Sequence, residues 1–120
     1  MSCLFRSLAF FLKNINTDEL REIITDYISK DPVLIEPNIK LSTLLSLDNK
    51  RLNDYTESMS RSSTWGGAIE IKAFCEIFKI KVYVLVIEEG RYIEFIPSRE
   101  ENNGNIIKIS WNGYHYEPLR

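Results

Sequence analysis

A thiol attacks a carbonyl as its thiolate, so thiol chemistry near neutral pH needs a neighbouring base or a depressed pKa. The chain holds two thiols, Cys3 and Cys75, and one imidazole, His115. His115 is therefore the one histidine that could serve as base. Cys3 opens an apolar run from Cys3 to Leu12. At a helix N-terminus, unpaired N–H groups and the helix dipole favour the anion. Position alone nevertheless favours an inert cysteine in a frayed terminus. Cys75 falls mid-helix between Phe74 and Glu76. Such a site lacks free N–H groups, and buried cysteines behave as small hydrophobes, so Cys75 is read as core.

His115 lies between Tyr114 and Tyr116. In a strand, His115 and Glu117 share a face. A carboxylate there could fix the imidazole tautomer, the role of a triad's third member. Cys3, His115 and Glu117 together would describe acyl transfer from an amide through a thioester. The simpler reading is an exposed strand histidine among aromatic neighbours. Trp65-Gly66-Gly67 is a third feature. Small residues beside an aromatic can line a groove for an extended peptide. As structure alone, Trp65 would anchor a core and the glycines would form a tight loop.

Positioning these residues requires the two ends of the chain to meet. Residues 3–13 read as a helix, with Leu4, Leu8 and Phe11 or Leu12 at helical spacing and Phe5 and Ala9 widening the apolar face. Residues 17–30 form the clearest helix: Asn16 and Glu19 have capping-box spacing, and Leu20, Ile23, Ile24, Tyr27 and Ile28 follow with helical period. Pro32 and Pro37 interrupt residues 31–47, where Leu41 to Leu45 allow a short helix. A polar helix is predicted over 48–59 and an amphipathic one over 68–78, with Ile69, Ala73, Phe74, Ile77 and Phe78 inward. Strands follow at 80–87, 91–96, 105–111 and 114–119, the last two joined by a two-residue Asn112-Gly113 hairpin turn. Helices first and strands afterwards is the α+β pattern, with a small and mostly antiparallel sheet.

The length of 120 residues suits one domain with its own core. Net charge is −2 with both signs interspersed, which argues against nucleic acid as the main partner. Two cysteines make no disulfide framework, so a reducing, cytoplasmic setting is expected; a monomer is expected as well. The N-terminal apolar run is too short to span a bilayer and lacks a signal-peptide pattern, so no membrane association is expected. Zinc-ligand spacings are absent, and no metal is expected.

Three segments in order, covering nearly the whole chain, resemble the ovarian-tumour (OTU) cysteine proteases. Cys3-Leu4-Phe5-Arg6-Ser7-Leu8 resembles the second half of that family's nucleophile motif, Asp-Gly-Asn-Cys-Leu-Phe-Arg-Ser/Ala-Leu/Ile. Trp65-Gly66-Gly67-Ala68-Ile69-Glu70-Ile71 resembles its Trp-Gly-Gly segment, and Ile80 to Val84 the strand after it. His115-Tyr116-Glu117 stands where the family has His-Tyr/Trp-Asp/Asn. The resemblance implies an OTU-like, papain-like cysteine protease fold over residues 1–120, and removal of ubiquitin or a ubiquitin-like modifier. It implies Cys3 as nucleophile, His115 as general base and Glu117 as orienting acid, with Asn112 as second choice. It implies backbone oxyanion-hole donors around Met1 and Ser2, and a channel for the modifier's Gly-Gly tail shaped by Trp65, Gly66 and Gly67. No cofactor is implied. Two departures stand out. Ser2 and Met1 replace the Asn and Gly of the lead, so the sequence is either truncated ahead of the nucleophile or carries a loose oxyanion hole. Glu117 is one methylene longer than aspartate. An OTU-like ubiquitin-binding module without turnover is the alternative expectation.

Overall fold

The computed structural model describes residues 2–35, 38–98 and 104–120. Helix α1 (Cys3–Ala9) is short, and five of its side chains besides Cys3 are buried. It stops four residues before the sequence pattern suggests, and Asn14 adopts a left-handed φ of 64°. Phe10 is thereby turned to solvent, while Phe11 and Leu12 stay packed on the core. Helix α2 (Thr17–Ser29) carries the predicted capping box: Glu19 N–H donates to Asn16 Oδ1 at 2.8 Å and Asn16 N–H to Glu19 Oε1 at 3.1 Å. Leu20, Ile24 and Ile28 form its inner face.

Residues 31–47 hold an antiparallel pair that the sequence pattern does not reveal, β1 (Val33–Ile35) and β2 (Ile39–Lys40), followed by α3 (Leu41–Ser46). Asp31, ahead of β1, reaches α3 beyond β2. Its carboxylate accepts from Ser42 N–H and Ser42 Oγ–H, each at 2.7 Å, which caps α3 from a distance. Helix α4 (Leu52–Met59) begins later than residue 48, because Asn49 takes a left-handed φ of 56°. Helix α5 (Ala68–Phe78) buries Glu70, Ile71, Ala73, Phe74 and Cys75. Ile69, Ile77 and Phe78, expected inward, are only partly buried.

The main sheet runs in the order β4-β3-β5-β6, from β3 (Lys81–Val86), β4 (Arg91–Phe95), β5 (Ile106–Trp111) and β6 (Tyr116–Leu119). Two of its pairings are antiparallel, and the central one, β3 with β5, is parallel. One face of the sheet, with Val82, Val84, Ile107 and Ile109, packs under the helices. Alternation along β3 follows from this, buried residues alternating with half-buried ones. Among the described residues no helix is long and apolar enough to cross a membrane.

The last hairpin differs from the expected two-residue turn. Trp111 pairs with Tyr116, so residues 112–115 form a four-residue loop. Asn112 Oδ1 accepts from Tyr114 N–H at 3.0 Å and His115 N–H at 2.8 Å, and Asn112 N–H donates to His115 O. An asparagine side chain folding the backbone after it is a known turn device, and Gly113 takes the positive φ of 101° that the loop requires. His115 therefore sits at the mouth of β6 rather than within it.

Candidate active site

Cys3 is the first residue of α1, and it is only 4% exposed. The next two residues, Leu4 and Phe5, anchor the helix in the core. Ser2 precedes the helix without a side-chain cap; its carbonyl accepts from Arg6 N–H at 2.8 Å. Ser7 Oγ–H donates back to Cys3 O at 2.7 Å. The first-turn N–H groups of any helix lack intrahelical partners, so this end is a place where negative charge is tolerated. Met1 lies outside the described residues.

Helix α1 packs against β6. The phenol of Tyr116, first residue of β6, is pushed up in pKa chiefly by burial, with Cys3 and Glu70 within electrostatic reach of it. His115 and Glu117 flank Tyr116, with His115 Nε2 3.7 Å from Glu117 Oε1 and both side chains open to solvent. That separation is within ion-pair range but too long for a hydrogen bond, and exposed pairs contribute little to stability. Asn112 Oδ1 is taken up by two backbone N–H groups, so it serves the turn rather than the imidazole.

Trp65 is 51% exposed and does not anchor the core. Gly66 is wedged against α1. A Cβ at this position would come within 2.8 Å of Leu4 Cδ2 and 3.1 Å of the Phe5 ring. Gly67 faces open space, and its N–H donates to Glu70 Oε1 at 2.7 Å. Glu70 is a site residue whose role sequence reasoning missed. It is 1% exposed, and it accepts from Tyr55 Oη–H at 2.6 Å as well as from Gly67. Burial raises its pKa against the pull of those hydrogen bonds. The spacing of Gly67 and Glu70, equal to that of Asn16 and Glu19, was the available signal. A cleft of about 710 Å³ runs between α4 and this segment, lined by Tyr55, Trp65, Gly66, Gly67 and Glu70 among others. That volume suits ligand binding, yet neither Cys3 nor His115 lines it.

Arg21 is the second missed residue. It is 3% exposed on α2 and reaches into the loop before Trp65. Its Nη1 donates to Met59 O and its Nη2 to Thr64 O, each at 2.9 Å. Arg21 falls three residues before Ile24, on the buried face, but its charge suggests solvent. Cys75 is fully buried, and burial pushes its thiol up to about 12, which removes it as a nucleophile.

Known proteins are similar to this chain over nearly its whole length. Ubiquitin thioesterase OTU1 of Saccharomyces cerevisiae is 30% identical over 119 residues, covering 98% of this chain and 36% of that protein. Ubiquitin thioesterase OTU1 of Mus musculus is 27% identical over 124 residues, covering 99% of this chain and 33% of that one. The chain thus spans about a third of the length of these curated relatives. An ovarian tumour domain solved in complex with ubiquitin superposes with a TM-score of 0.77 at 27% identity, covering 98% of this chain and 62% of that one. Residues 2–116 match the model of the OTU-like cysteine proteases, and the chain belongs to that family.

Proposed function

We propose that this chain is a thiol-dependent deubiquitinase, hydrolysing the amide bond after the C-terminal glycine of ubiquitin or a ubiquitin-like modifier. The observation that carries the reading is the packing of the Cys3 helix on β6, the strand that begins between His115 and Glu117. Family membership and relatives named ubiquitin thioesterases support the substrate class.

In this reading His115 takes the proton of Cys3. With Nε2 turned to Glu117, Nδ1 is the nitrogen for that task. The thiolate sulfur attacks the glycine carbonyl, and the resulting oxyanion is held by N–H groups at the start of α1, with backbone near Met1 and Ser2 contributing. Collapse breaks the C–N bond, and His115 returns its proton to the departing amine. Water, deprotonated by His115, then attacks the thioester and releases a free carboxylate and the Cys3 thiol. Glu117 orients the imidazole and stabilises its charged form. Trp65, Gly66 and Gly67 shape the passage for the extended tail. A reducing, cytoplasmic compartment would keep Cys3 competent.

The test is a ubiquitin carrying a C-terminal thiol-reactive warhead. A covalent adduct on Cys3, lost in Cys3→Ala, is expected, together with cleavage of at least one linkage-defined diubiquitin. No adduct and no cleavage would remove the enzymatic reading. The 3.7 Å gap between His115 and Glu117 favours one rival, an impaired ubiquitin-binding module. That rival is recognised by ubiquitin binding without labelling, unchanged in Cys3→Ala.

A further inference from the structure

Arg21 grips more than the loop before Trp65. Its Nη2 also donates to Ser2 Oγ at 3.2 Å, and Ser2 Oγ–H in turn donates to Ser62 O at 3.3 Å. Its guanidinium carbon lies 4.2 Å from the centroid of the Phe5 ring, on the nucleophile helix. One buried cation on α2 therefore touches three parts of the thiol site: the residue ahead of Cys3, the helix that carries Cys3, and the strand of backbone that enters Trp65-Gly66. From the other side, Glu70 holds Gly67 N–H. Trp65-Gly66 is strung between two buried polar groups, the guanidinium of Arg21 and the carboxyl of Glu70.

We infer that Arg21 is a positioning residue for the thiol reaction, acting through Ser2 and the Trp65 segment. The inference rests on the thiol-hydrolase reading above. The physical route is short. The dihedrals of Ser2, φ −100° and ψ 17°, set the direction of the Cys3 N–H. That N–H is the donor nearest to the carbon that Cys3 attacks. The Ser2 carbonyl accepts from Arg6 N–H, but its side chain caps nothing in its own helix and is held from outside by Arg21 and Ser62. A planar fork with separate nitrogens can serve Met59 O, Thr64 O and Ser2 Oγ together. A lysine ammonium, a single point on a flexible stem, cannot span that set. A buried arginine is costly unless its donors are matched, and here the bonds from Nη1 and Nη2 that do so also reach the residue ahead of Cys3.

The test uses the full chain, its Arg21→Lys and Ser2→Ala variants, and the double variant. The substrate is ubiquitin with a C-terminal fluorogenic amide, and the backbone amide resonances of Cys3 and Trp65 are recorded without substrate. Arg21→Lys is expected to lower kcat by about 10- to 100-fold, the scale of a ~1 Å misplacement, with KM changed less than about two-fold. Ser2→Ala is expected to lower kcat in the same direction. In the Ser2→Ala background the Arg21→Lys step should shrink, because the two act through one contact. A merely structural arginine would lower thermal stability while leaving kcat of the folded fraction intact. That result, or strictly additive losses in the double variant, overturns the inference. If Arg21→Lys does not fold, Ser2→Ala decides: native kcat with a native Cys3 resonance overturns it. If the unsubstituted chain does not turn over ubiquitin, the substrate reading falls. The Cys3 and Trp65 resonances still decide the positioning role: displacement in Arg21→Lys supports it, and native positions overturn it.

Discussion

Gly66 and Gly67 are neighbours of the same type, yet their surroundings give them different tasks. A methyl at Gly66 must push into Leu4 and Phe5, whereas one at Gly67 meets nothing within 4 Å. Gly66→Ala is expected to cost about 1–3 kcal/mol as an overpacked site, and Gly67→Ala about 0.5 kcal/mol or less. Thermal unfolding of the two variants measures this, and equal costs would mean that the Leu4 wedge yields freely. Glu70 carries a pH signature. Because its pKa is raised in the fold, the native state holds its proton more tightly than the unfolded chain. Its contribution to stability therefore falls as pH rises above about 4.3, the unfolded value. Urea unfolding of Glu70→Gln against the native chain should show the penalty of the substitution shrinking from pH 4.5 to pH 7; a growing penalty would reverse the sign. Cys75 should resist iodoacetamide until global unfolding, since it is both buried and weakly acidic; peptide mass mapping of the native protein checks this. At this scale the sequence displays the reactive types, because a lone imidazole and two thiols are easily counted. It conceals Arg21 and Glu70, because a charged letter gives no hint that burial has matched it with carbonyls, a phenol or an amide.

The helices were legible where period and cap agree. Residues 17–29 have both, and Asn16→Ala is expected to cost about 1 kcal/mol in urea unfolding by removing the acceptor of Glu19 N–H. Where a side chain overrules the local pattern, legibility ends. The β1–β2 pair is two to three residues per strand, too short for periodicity to register, and its flanks are tied by Asp31 reaching across to Ser42. The final hairpin carries an Asn-Gly signal for a tight turn, but Asn112 spends its carbonyl oxygen on two backbone amides and opens the loop to four residues. Those two bonds also place His115. Asn112→Ala should therefore cost about 1 kcal/mol or more, at ~0.5–1.5 kcal/mol per lost hydrogen bond. It should also slow warhead labelling of Cys3 more than Asn112→Asp does, because aspartate keeps the acceptor.

Over the whole molecule, the class of fold follows from element order, but the sheet order does not. β4 and β5 lie on opposite sides of β3, and the β3–β5 pairing is parallel. No local signal announces a parallel neighbour so far along the chain; it follows from which faces the helices cover. The packing of α1 on β6, which joins the two ends of this domain, is likewise invisible to composition and spacing. Only resemblance to a family makes it an expectation.

That packing also orders events during synthesis. The Cys3 thiol precedes the His115 imidazole by nearly the whole of this domain. Chains are made vectorially, at roughly 5–20 residues per second. Until the final hairpin has emerged from the ribosome, helix α1 lacks the strand it packs on. The surroundings of Cys3 are therefore completed only when the last strand of the domain has been made.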